Sequence, residues 1–272
     1  MIPKRIIQTG PPEVPLLLKS AVSGVQLLNP DFEYRFFDDT DIEAFVAQYF
    51  PDLKKIYYSF RYRIQRYDFF RYLCVYQLGG FYLDLDIFLA RSLTPLLSAQ
   101  CVFPFEELSG IIYLLDRYQM DWQIGNYAFG AAPRDPFLKA VIDNCVRAQQ
   151  DESWVKPMMK GIPRPFWPQF YVLNTTGPGL VTRTFAEYSG RIADITILFP
   201  EDVRDPATWH HFGNFGVHHM MGSWRGSSGI LKRRLLRLWD GWTLRRIIAN
   251  SKNTGKTREI RNQVPLNIVE AT

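Results

Sequence analysis

The sequence predicts an α/β fold in a single domain with a mostly parallel central sheet, and three observations support this prediction. Segments with strand-type alternation and segments with helix-type periodicity follow one another along the chain. The 272 residues, of which 47% are hydrophobic, suffice for one large core. No Ser/Gly/Pro-rich linker and no internal repeat divides the chain. Alternation of this kind favours helices packed on a mostly parallel sheet.

The expected elements are short and bounded by turn residues. Strands are predicted near 4–9, 33–37, 81–88 and 100–104. Helices are predicted near 13–22, 40–48, 66–78 and 135–149. The helix over 66–78 contains neither Gly nor Pro, and it ends at Gly79 and Gly80 because glycine accepts the positive φ of a C-terminal cap. These glycines direct the chain into the next strand.

The most informative feature is the pair Asp84 and Asp86 within the strand expected over 81–88. Because side chains alternate along a strand, both carboxylates would project from one face together with Tyr82. Two carboxylates in an apolar segment are costly to bury unless a cation or strong donors meet them. Oxygen ligands suit a hard divalent ion such as Mg²⁺ or Mn²⁺. The alternative is a solvated pair at the end of a strand.

A second charged pair, Asp68 and Arg71, lies on the helix just before that strand. The two residues are three apart and therefore share a helix face. An ion pair between them would contribute only a few tenths of a kcal/mol, roughly, to helix stability. The alternative is a ligand-binding role, for which a carboxylate acceptor and a forked guanidinium donor are well suited.

Together these residues form the spaced pattern Arg66-x-Asp68-x-x-Arg71-Tyr72, followed by Gly79-Gly80-x-Tyr82-x-Asp84-x-Asp86. The pattern resembles the DXD-containing sugar transferases of glycosyltransferase family 32. That family includes the yeast initiating α-1,6-mannosyltransferases, α-1,4-galactosyltransferases and bacterial capsular polysaccharide enzymes. Further segments resemble the family in the same order: 2–9, 29–39, 174–179 and 217–224.

Two positions depart from the family pattern. Ile7 stands where the family usually has His, and Gly10 stands where it usually has Trp. If that Trp packs on the nucleotide base, this chain needs another platform, and the identity of the nucleotide stays open.

The resemblance implies a GT-A-type fold over 1–228 and a metal-dependent, retaining transfer of a hexose. The donor would be a UDP- or GDP-sugar, and the acceptor a glycan or lipid-linked oligosaccharide in surface polysaccharide synthesis. Mn²⁺ or Mg²⁺ would bind Asp84 and Asp86, with His218 or His219 as a third ligand.

The remaining site residues have roles that the resemblance implies. Asp68 and Arg71 would contact the transferred sugar, and Asn126 would lie near its anomeric carbon as a catalytic residue. Further donor contacts are assigned to Tyr82, Ser223 and Trp224. The region 105–170 is expected to be irregular and to shape the acceptor cleft.

Other functions share parts of this pattern. A toxin-like transferase that modifies a protein would have the same catalytic residues, so the acceptor alone distinguishes it. A membrane-associated binding protein with the same fold would lack turnover. A phosphatase of the haloacid-dehalogenase type is disfavoured, because Ile87 and Phe88 follow the Asp pair where that class continues into Gly or Thr.

The C-terminal part, 229–272, combines a basic amphipathic stretch with a polar tail. The net charge of the chain is +5, and 230–248 holds six Lys and Arg residues against Asp240. Such a stretch either packs on the domain or binds anionic lipid. Nucleic acid is not an expected partner, because no nucleic-acid-binding motif accompanies the charge.

The sequence also predicts where the protein acts. It shows neither a signal-peptide pattern nor an apolar run of roughly 20 residues, the length that spans a membrane. The three isolated cysteines, Cys74, Cys101 and Cys145, are expected to be buried thiols in a reducing compartment. These features predict a cytoplasmic protein, which is either free or, if the basic stretch binds lipid, peripheral on the cytoplasmic face of the membrane.

Overall fold

Two β-sheets organise residues 1–220, the part of the chain that the computed structural model describes. The larger sheet contains seven strands: β1 (Arg5–Thr9), β2 (Glu33–Phe37), β3 (Gly80–Leu83), β5 (Cys101–Leu108), β6 (Trp122–Ile124), β7 (Ala128–Ala131) and β8 (Ile195–Leu198). The smaller sheet contains three strands: β4 (Ile87–Leu89), β9 (His211–Phe212) and β10 (Gly216–His218).

The larger sheet has the order β2-β1-β3-β7-β5-β6, with β8 also paired to β5. Strands β1, β2 and β3 are mutually parallel, β7 is antiparallel to both β3 and β5, and β8 is parallel to β5. Since β6 is antiparallel to β5, five of the seven strands run in one direction and two, β6 and β7, in the other. The predicted α/β fold with a mostly parallel central sheet is confirmed.

Helices cover both faces of this sheet and connect its strands. Within residues 1–220 they are α1 (Leu16–Leu28), α2 (Asp39–Tyr49), α3 (Lys54–Ser59), α4 (Arg63–Leu78), α5 (Ile112–Tyr118), α6 (Pro136–Gln150), α7 (Glu152–Val155), α8 (Trp167–Thr175) and α9 (Pro178–Glu187). All four helices expected from the sequence are present. The largest difference is in α1, which extends six residues beyond the predicted 13–22.

Local chemistry explains where the main elements begin and end. Helix α4 ends at Gly79, whose φ is 67° and whose N–H donates to Val75 O. Gly80 has a φ of 111° and opens β3, so the glycine pair does turn the chain as predicted. Helix α6 begins after Asp135, whose side chain accepts from the Leu138 N–H, with Pro136 in the first turn.

Aromatic side chains fill the core between the larger sheet and helices α4, α6 and α9. Phe129 lies at its centre, stacked on Phe103 at 4.9 Å and packed against Tyr72 and Tyr82. A second core lies on the other face of the sheet, beneath α1 and the smaller sheet. The three cysteines are buried free thiols, which confirms their predicted burial. No helix of residues 1–220 has the length and apolar character needed to cross a bilayer.

Two predictions about local structure are wrong. The strand expected over 81–88 is two strands, because β3 ends at Leu83 and β4 begins at Ile87 in the other sheet. The region 105–170 is not irregular, since five complete helices or strands lie between β5 and α8, and their buried side chains belong to the larger core. The basic stretch 230–248 and the domain boundary at 228 lie outside the described residues.

Candidate functional site

Asp84, Leu85 and Asp86 form a turn at the carboxyl end of β3, where the chain leaves the larger sheet for the smaller one. The Asp84 N–H donates to Tyr127 O at 2.7 Å, and the Ile87 N–H donates to Asp84 O at 3.2 Å. The Gln8 side chain also donates to Asp84 O, at 3.3 Å. The main chain of the turn is therefore held by its neighbours in both sheets. Ligands of open α/β sheets bind at this carboxyl edge.

The turn and β10 bring three potential ligand atoms together. One oxygen each from Asp84 and Asp86 and one nitrogen from His218 all lie within 4.8 Å of one another. His218 Nε2 is 3.2 Å from Asp86 Oδ1, and its ring stacks on Tyr127 with the centroids 4.4 Å apart. The three side chains are between 14% and 25% exposed, so solvent reaches them. Two carboxylates and an imidazole suit Mn²⁺ or Mg²⁺, so the residues fit the predicted ion.

The two histidines that the sequence offered as alternatives differ in position. His218 ends β10 and approaches Asp86, whereas the His219 ring lies against Phe88 with the centroids 4.6 Å apart. His219 contributes only its main-chain N–H to the turn, which donates to Asp86 O at 3.1 Å. Because neighbouring strand residues point to opposite sides, only one of the pair reaches the carboxylates. The geometry selects His218 as the third ligand candidate.

Helix α4 directs Asp68 and Arg71 toward the same turn. Arg71 Nη2 is 3.1 Å from Asp68 Oδ1, and Arg71 Nη1 is 3.3 Å from Asp84 Oδ1. The guanidinium lies over the Tyr82 ring, 4.6 Å from its centroid, and the Tyr82 hydroxyl donates to Asp84 Oδ1 at 2.8 Å. Asp68 and Arg71 thus form the intrahelical ion pair, and Arg71 also joins the helix to the Asp84 carboxylate.

Asn126 and Thr176 complete the surroundings of Asp68. The Asn126 amide donates to Asp68 Oδ1 at 3.2 Å, and the Thr176 hydroxyl donates to Asp68 Oδ2 at 2.9 Å. Asn126 O accepts from Arg71 Nη1 at 2.8 Å, and its amide also donates to the Tyr72 hydroxyl. Three segments that are distant in sequence, helix α4 and the residues around Asn126 and Thr176, therefore meet at the Asp68 carboxylate.

Burial governs the electrostatics of the site. It raises the pKa of Asp68 to about 6, although the Arg71 charge and the donors from Thr176 and Asn126 lower it. Burial also raises the pKa of Asp84, against the opposing effect of the Arg71 charge. Two carboxylates, those of Asp68 and Asp84, pair with one guanidinium here, and the Asp86 carboxylate lies beside that of Asp84. The site therefore favours an additional cation when its carboxylates are ionised.

Gly10, where the family has Trp, lies beside the turn. A Cβ at Gly10 would overlap the Leu85 side chain and lie 3.3 Å from Phe36. Leu85, the residue between the two aspartates, therefore occupies the space that a side chain at position 10 would need. The bare position at the end of β1 allows the turn to approach this strand.

Several site residues were not predicted from the sequence. Tyr127 supports His218 through its ring, and Thr176 donates its hydroxyl to Asp68. The Tyr72 hydroxyl accepts from the Asn126 amide and donates to Thr176 O, so it supports Asp68 through these two neighbours. Gln8 could have been found, because it lies in the segment that resembles the opening strand of the family. The predicted donor contacts Ser223 and Trp224 lie outside the described residues.

Comparisons with known proteins show what this chain is similar to. Residues 16–103 match the family described as glycosyltransferase sugar-binding region containing DXD motif. The chain is 27% identical over 240 residues to inositol phosphoceramide mannosyltransferase 3 of Schizosaccharomyces pombe, covering 82% of this chain and 60% of the relative. It is 31% identical over 148 residues to inositol phosphoceramide mannosyltransferase 1 of the same organism, covering 53% of this chain and 42% of that relative.

These matches are partial. The chain covers between 42% and 60% of the length of the two relatives. Among solved structures, the PaToxG glycosyltransferase matches 68% of this chain and 69% of its own, with 16% identity and a TM-score of 0.47.

Proposed function

Because the chain belongs to the glycosyltransferases whose sugar-binding region contains a DXD motif, we propose that it transfers a hexose from a nucleotide sugar to a glycan or lipid-linked acceptor. The observation that carries the proposal is the convergence of Asp84, Asp86 and His218 beside the buried pair Asp68 and Arg71. A cation site next to a carboxylate and a guanidinium suits a donor with a diphosphate and a hydroxyl-rich ring.

Asp84, Asp86 and His218 would hold Mn²⁺ or Mg²⁺. When bound, such an ion neutralises the negative charge that the departing diphosphate carries. Neighbouring residues of the protein hold these carboxylates in place. Gln8 and Tyr127 hold the main chain of the turn, and Tyr82 donates to the Asp84 carboxylate.

Asp68, Arg71 and Asn126 would bind and orient the transferred sugar. Asp68 would accept from sugar hydroxyls, and Arg71 would donate to them. Both side chains are nearly enclosed, and their hydrogen bonds to Asn126 and Thr176 fix their orientation. Preorganisation of this kind lowers the cost of reaching the reactive geometry.

In the reaction, the acceptor hydroxyl oxygen forms a bond to the anomeric carbon while the bond from that carbon to the diphosphate oxygen breaks. The hydroxyl proton passes to the leaving diphosphate, so that atoms and charge balance. Family resemblance supports retention of the anomeric configuration, with the acceptor attacking from the side that the diphosphate leaves.

The names of the relatives favour mannose as the transferred hexose and an inositol-phosphate lipid as the acceptor class. We include contact with an anionic membrane through 230–248 in the proposal, because this stretch is basic in sequence and a lipid-linked acceptor would lie there. An enzyme of this kind would work at the cytoplasmic face of the membrane.

The test measures nucleotide release from UDP- and GDP-sugars with Mn²⁺, Mg²⁺ or EDTA, comparing the natural protein with Asp86→Ala. We expect one donor to be turned over in a metal-dependent way, and the variant to lose at least about 10³-fold, equivalent to about 4 kcal/mol of transition-state stabilisation. Asp143→Ala is the matched control, because Asp143 lies on the exposed side of α6 in a pair with Lys139.

Any of three results would contradict the proposal. Metal-independent release, equal in the natural protein and Asp86→Ala, would exclude the assigned site. Neither turnover nor metal-dependent nucleotide binding by calorimetry would instead favour a binding protein with this fold. Turnover that transfers sugar only to protein acceptors would favour the toxin-like alternative.

A further inference from the structure

A polar cluster of Glu106, Glu107 and His210 lies next to the donor site along the same edge of the larger sheet. Glu106 and Glu107 are near the carboxyl end of β5, which runs in the same direction as β3. His210 Nδ1 is 3.4 Å from Glu106 Oε1, and His210 Nε2 is 4.0 Å from Glu107 Oε2. None of these residues has a role in the donor site described above.

The main chain is irregular where these side chains meet. Consecutive residues of a regular strand point to opposite faces, yet both glutamates approach the same imidazole. The pairing of β5 with β6 shifts its register between Phe105 and Leu108, so that Glu106 and Glu107 lie within the irregularity. Such irregularities re-aim side chains.

Glu106 is close to the segment that precedes Asn126. A Cβ built on Gly125 would lie 2.5 Å from Glu106 Oε2, so the carboxylate packs over the bare glycine. The Tyr127 ring stacks on His218 and also lies beside Gly125. The Tyr127 hydroxyl donates to Phe105 O. Glu106 is therefore separated from the candidate metal ligand by one aromatic ring.

His210 is tied to the same strands through its main chain. Its N–H donates to Glu106 O at 3.1 Å, and its carbonyl oxygen accepts from the His218 N–H at 2.9 Å. The side chains of Glu106 and His210 are 15% and 14% exposed, similar to those of Asp86 and His218. The pair thus lies between the Asn126 segment and β10, with the same access to solvent as the donor site.

We propose that Glu106 and His210 bind the acceptor of the transfer reaction and that the acceptor is a hydroxyl-rich ring, a sugar or an inositol. This assignment rests on the proposed function. The order of strands supports it: the Asp84–Asp86 turn follows β3, Asn126 precedes β7, and Glu106 lies on β5, the next strand in the sheet. The donor would bind at the ends of β3 and β7, which leaves the end of β5 for the acceptor whose hydroxyl attacks.

The chemistry of the pair suits such a ring. A carboxylate accepts hydrogen bonds from two adjacent hydroxyls, and a neutral imidazole donates at one nitrogen and accepts at the other. Hydrogen bonds that involve a charged partner discriminate strongly between ligands that complete them and ligands that do not. If Glu106 and His210 interact only with each other, they contribute to stability alone, and replacing them leaves the KM for the acceptor unchanged. If they bind the acceptor, replacing them raises that KM.

The experiment compares the natural protein, Glu106→Gln and His210→Asn in transfer from the donor identified by nucleotide release. The acceptors are methyl α-D-mannopyranoside, methyl β-D-galactopyranoside and myo-inositol 1-phosphate. We expect both variants to raise the KM for the acceptor at least tenfold, with the dissociation constant of the donor, measured by calorimetry, changed less than threefold. Glu152→Gln is the matched control, since Glu152 is exposed on α7.

Three results would overturn the assignment. An acceptor KM within twofold of the natural protein in both variants would exclude binding. A tenfold weaker donor affinity would place Glu106 with the donor. Donor turnover by the natural protein without transfer to any of the three rings would exclude the acceptor class. Absence of donor turnover in the natural protein would instead contradict the proposed function. Thermal unfolding of each variant monitors its folding, and His210→Asn stands alone if Glu106→Gln does not fold.

Discussion

Two arginines are buried to the same degree in this protein but have different surroundings. Arg71 in the candidate site and Arg183 in the core are each 4% exposed. Arg183 donates from Nε to Glu187 Oε1, from Nη1 to Trp154 O and from Nη2 to the Tyr113 hydroxyl. Its guanidinium also lies 3.6 Å from the centroid of a Trp154 ring. Every nitrogen of this arginine has a partner.

Arg71 is surrounded by more negative charge than it neutralises. It pairs with both Asp68 and Asp84, while its Nε has no hydrogen-bond partner within residues 1–220. Burial holds the pKa of both carboxyl groups above the ordinary value. The core arginine is saturated by its own protein, whereas the site arginine is shared between two carboxylates and keeps one buried N–H without a partner among residues 1–220. The difference separates a structural ion pair from one that prepares a binding site.

Within the comparison of the two arginines, the largest effect is expected from removing each of them. Arg71→Met is expected to lower donor turnover at least about 100-fold, equivalent to about 2.7 kcal/mol, because the sugar loses its cationic donor. Arg183→Met is expected to lower the free energy of unfolding by about 3 kcal/mol while turnover per folded molecule stays within threefold. Urea unfolding measures the free energy of unfolding of each variant, and nucleotide release measures its turnover. Equal losses of turnover in the two variants would remove the distinction between the arginines.

The pH dependence of stability should differ between the natural protein and Asp68→Asn. The folded-state pKa of Asp68, about 6, lies above its ordinary value of 3.8, so the folded state binds more protons between these values. The free energy of unfolding therefore falls as pH rises through this window, by roughly 1–3 kcal/mol from this carboxyl group. The decrease should be absent from the Asp68→Asn variant in urea unfolding at pH 4 and pH 7 without metal. A difference between the two proteins that stays constant with pH would contradict the assignment.

Gly10 tests how closely the metal-binding turn depends on its neighbour. Gly10→Ala would push Leu85 away and displace the turn, which is expected to cost about 1–3 kcal/mol of stability and about tenfold in turnover. The double variant Gly10→Ala with Leu85→Ala should recover most of the turnover, because the overlap is removed. If the single variant behaves like the natural protein, the contact does not position the turn.

The smallest effect is expected at an exposed ion pair with the same spacing as the Arg183–Glu187 pair. Lys139 and Asp143 on α6 are four apart, and their side chains are 49% and 58% exposed. Lys139→Ala should change the free energy of unfolding by about 0.5 kcal/mol or less, because solvent already screens the pair. A loss comparable to that of Arg183→Met would show that burial does not determine the value of these pairs.

Sequence reasoning predicted the elements better than their junctions. The helix that ends at Gly79, the placement of Asp68 on its face and the existence of β1 and β2 follow from local propensity and glycine chemistry. The break of the strand at Asp84 could not be predicted, because apolar residues alternate in the same way on one strand or on two. Only the positions of α1 and β10, distant in sequence, determine that the chain changes sheet there.

The candidate site was predicted to a similar extent. Asp84, Asp86 and the histidine pair were identified by residue type, and the fold was needed to choose His218. Glu106 and His210 were not identified, because they are 104 residues apart in the chain and neither lies in a recognisable motif. Their proximity depends on β5 and the segment before β9 meeting at one edge.

The change of sheet at Asp84–Asp86 also has a consequence for local unfolding. Asp84 directly follows β3 of the larger sheet, whereas His218 belongs to the smaller one, so an ion bound by both would crosslink the two sheets. Opening of the smaller sheet would then require release of that ion. Amide hydrogen exchange at Val217 and His218 should therefore slow as Mn²⁺ is added, and this protection should be lost in Asp86→Ala. The amide exchange rate of β10 would thus report how tightly the metal binds.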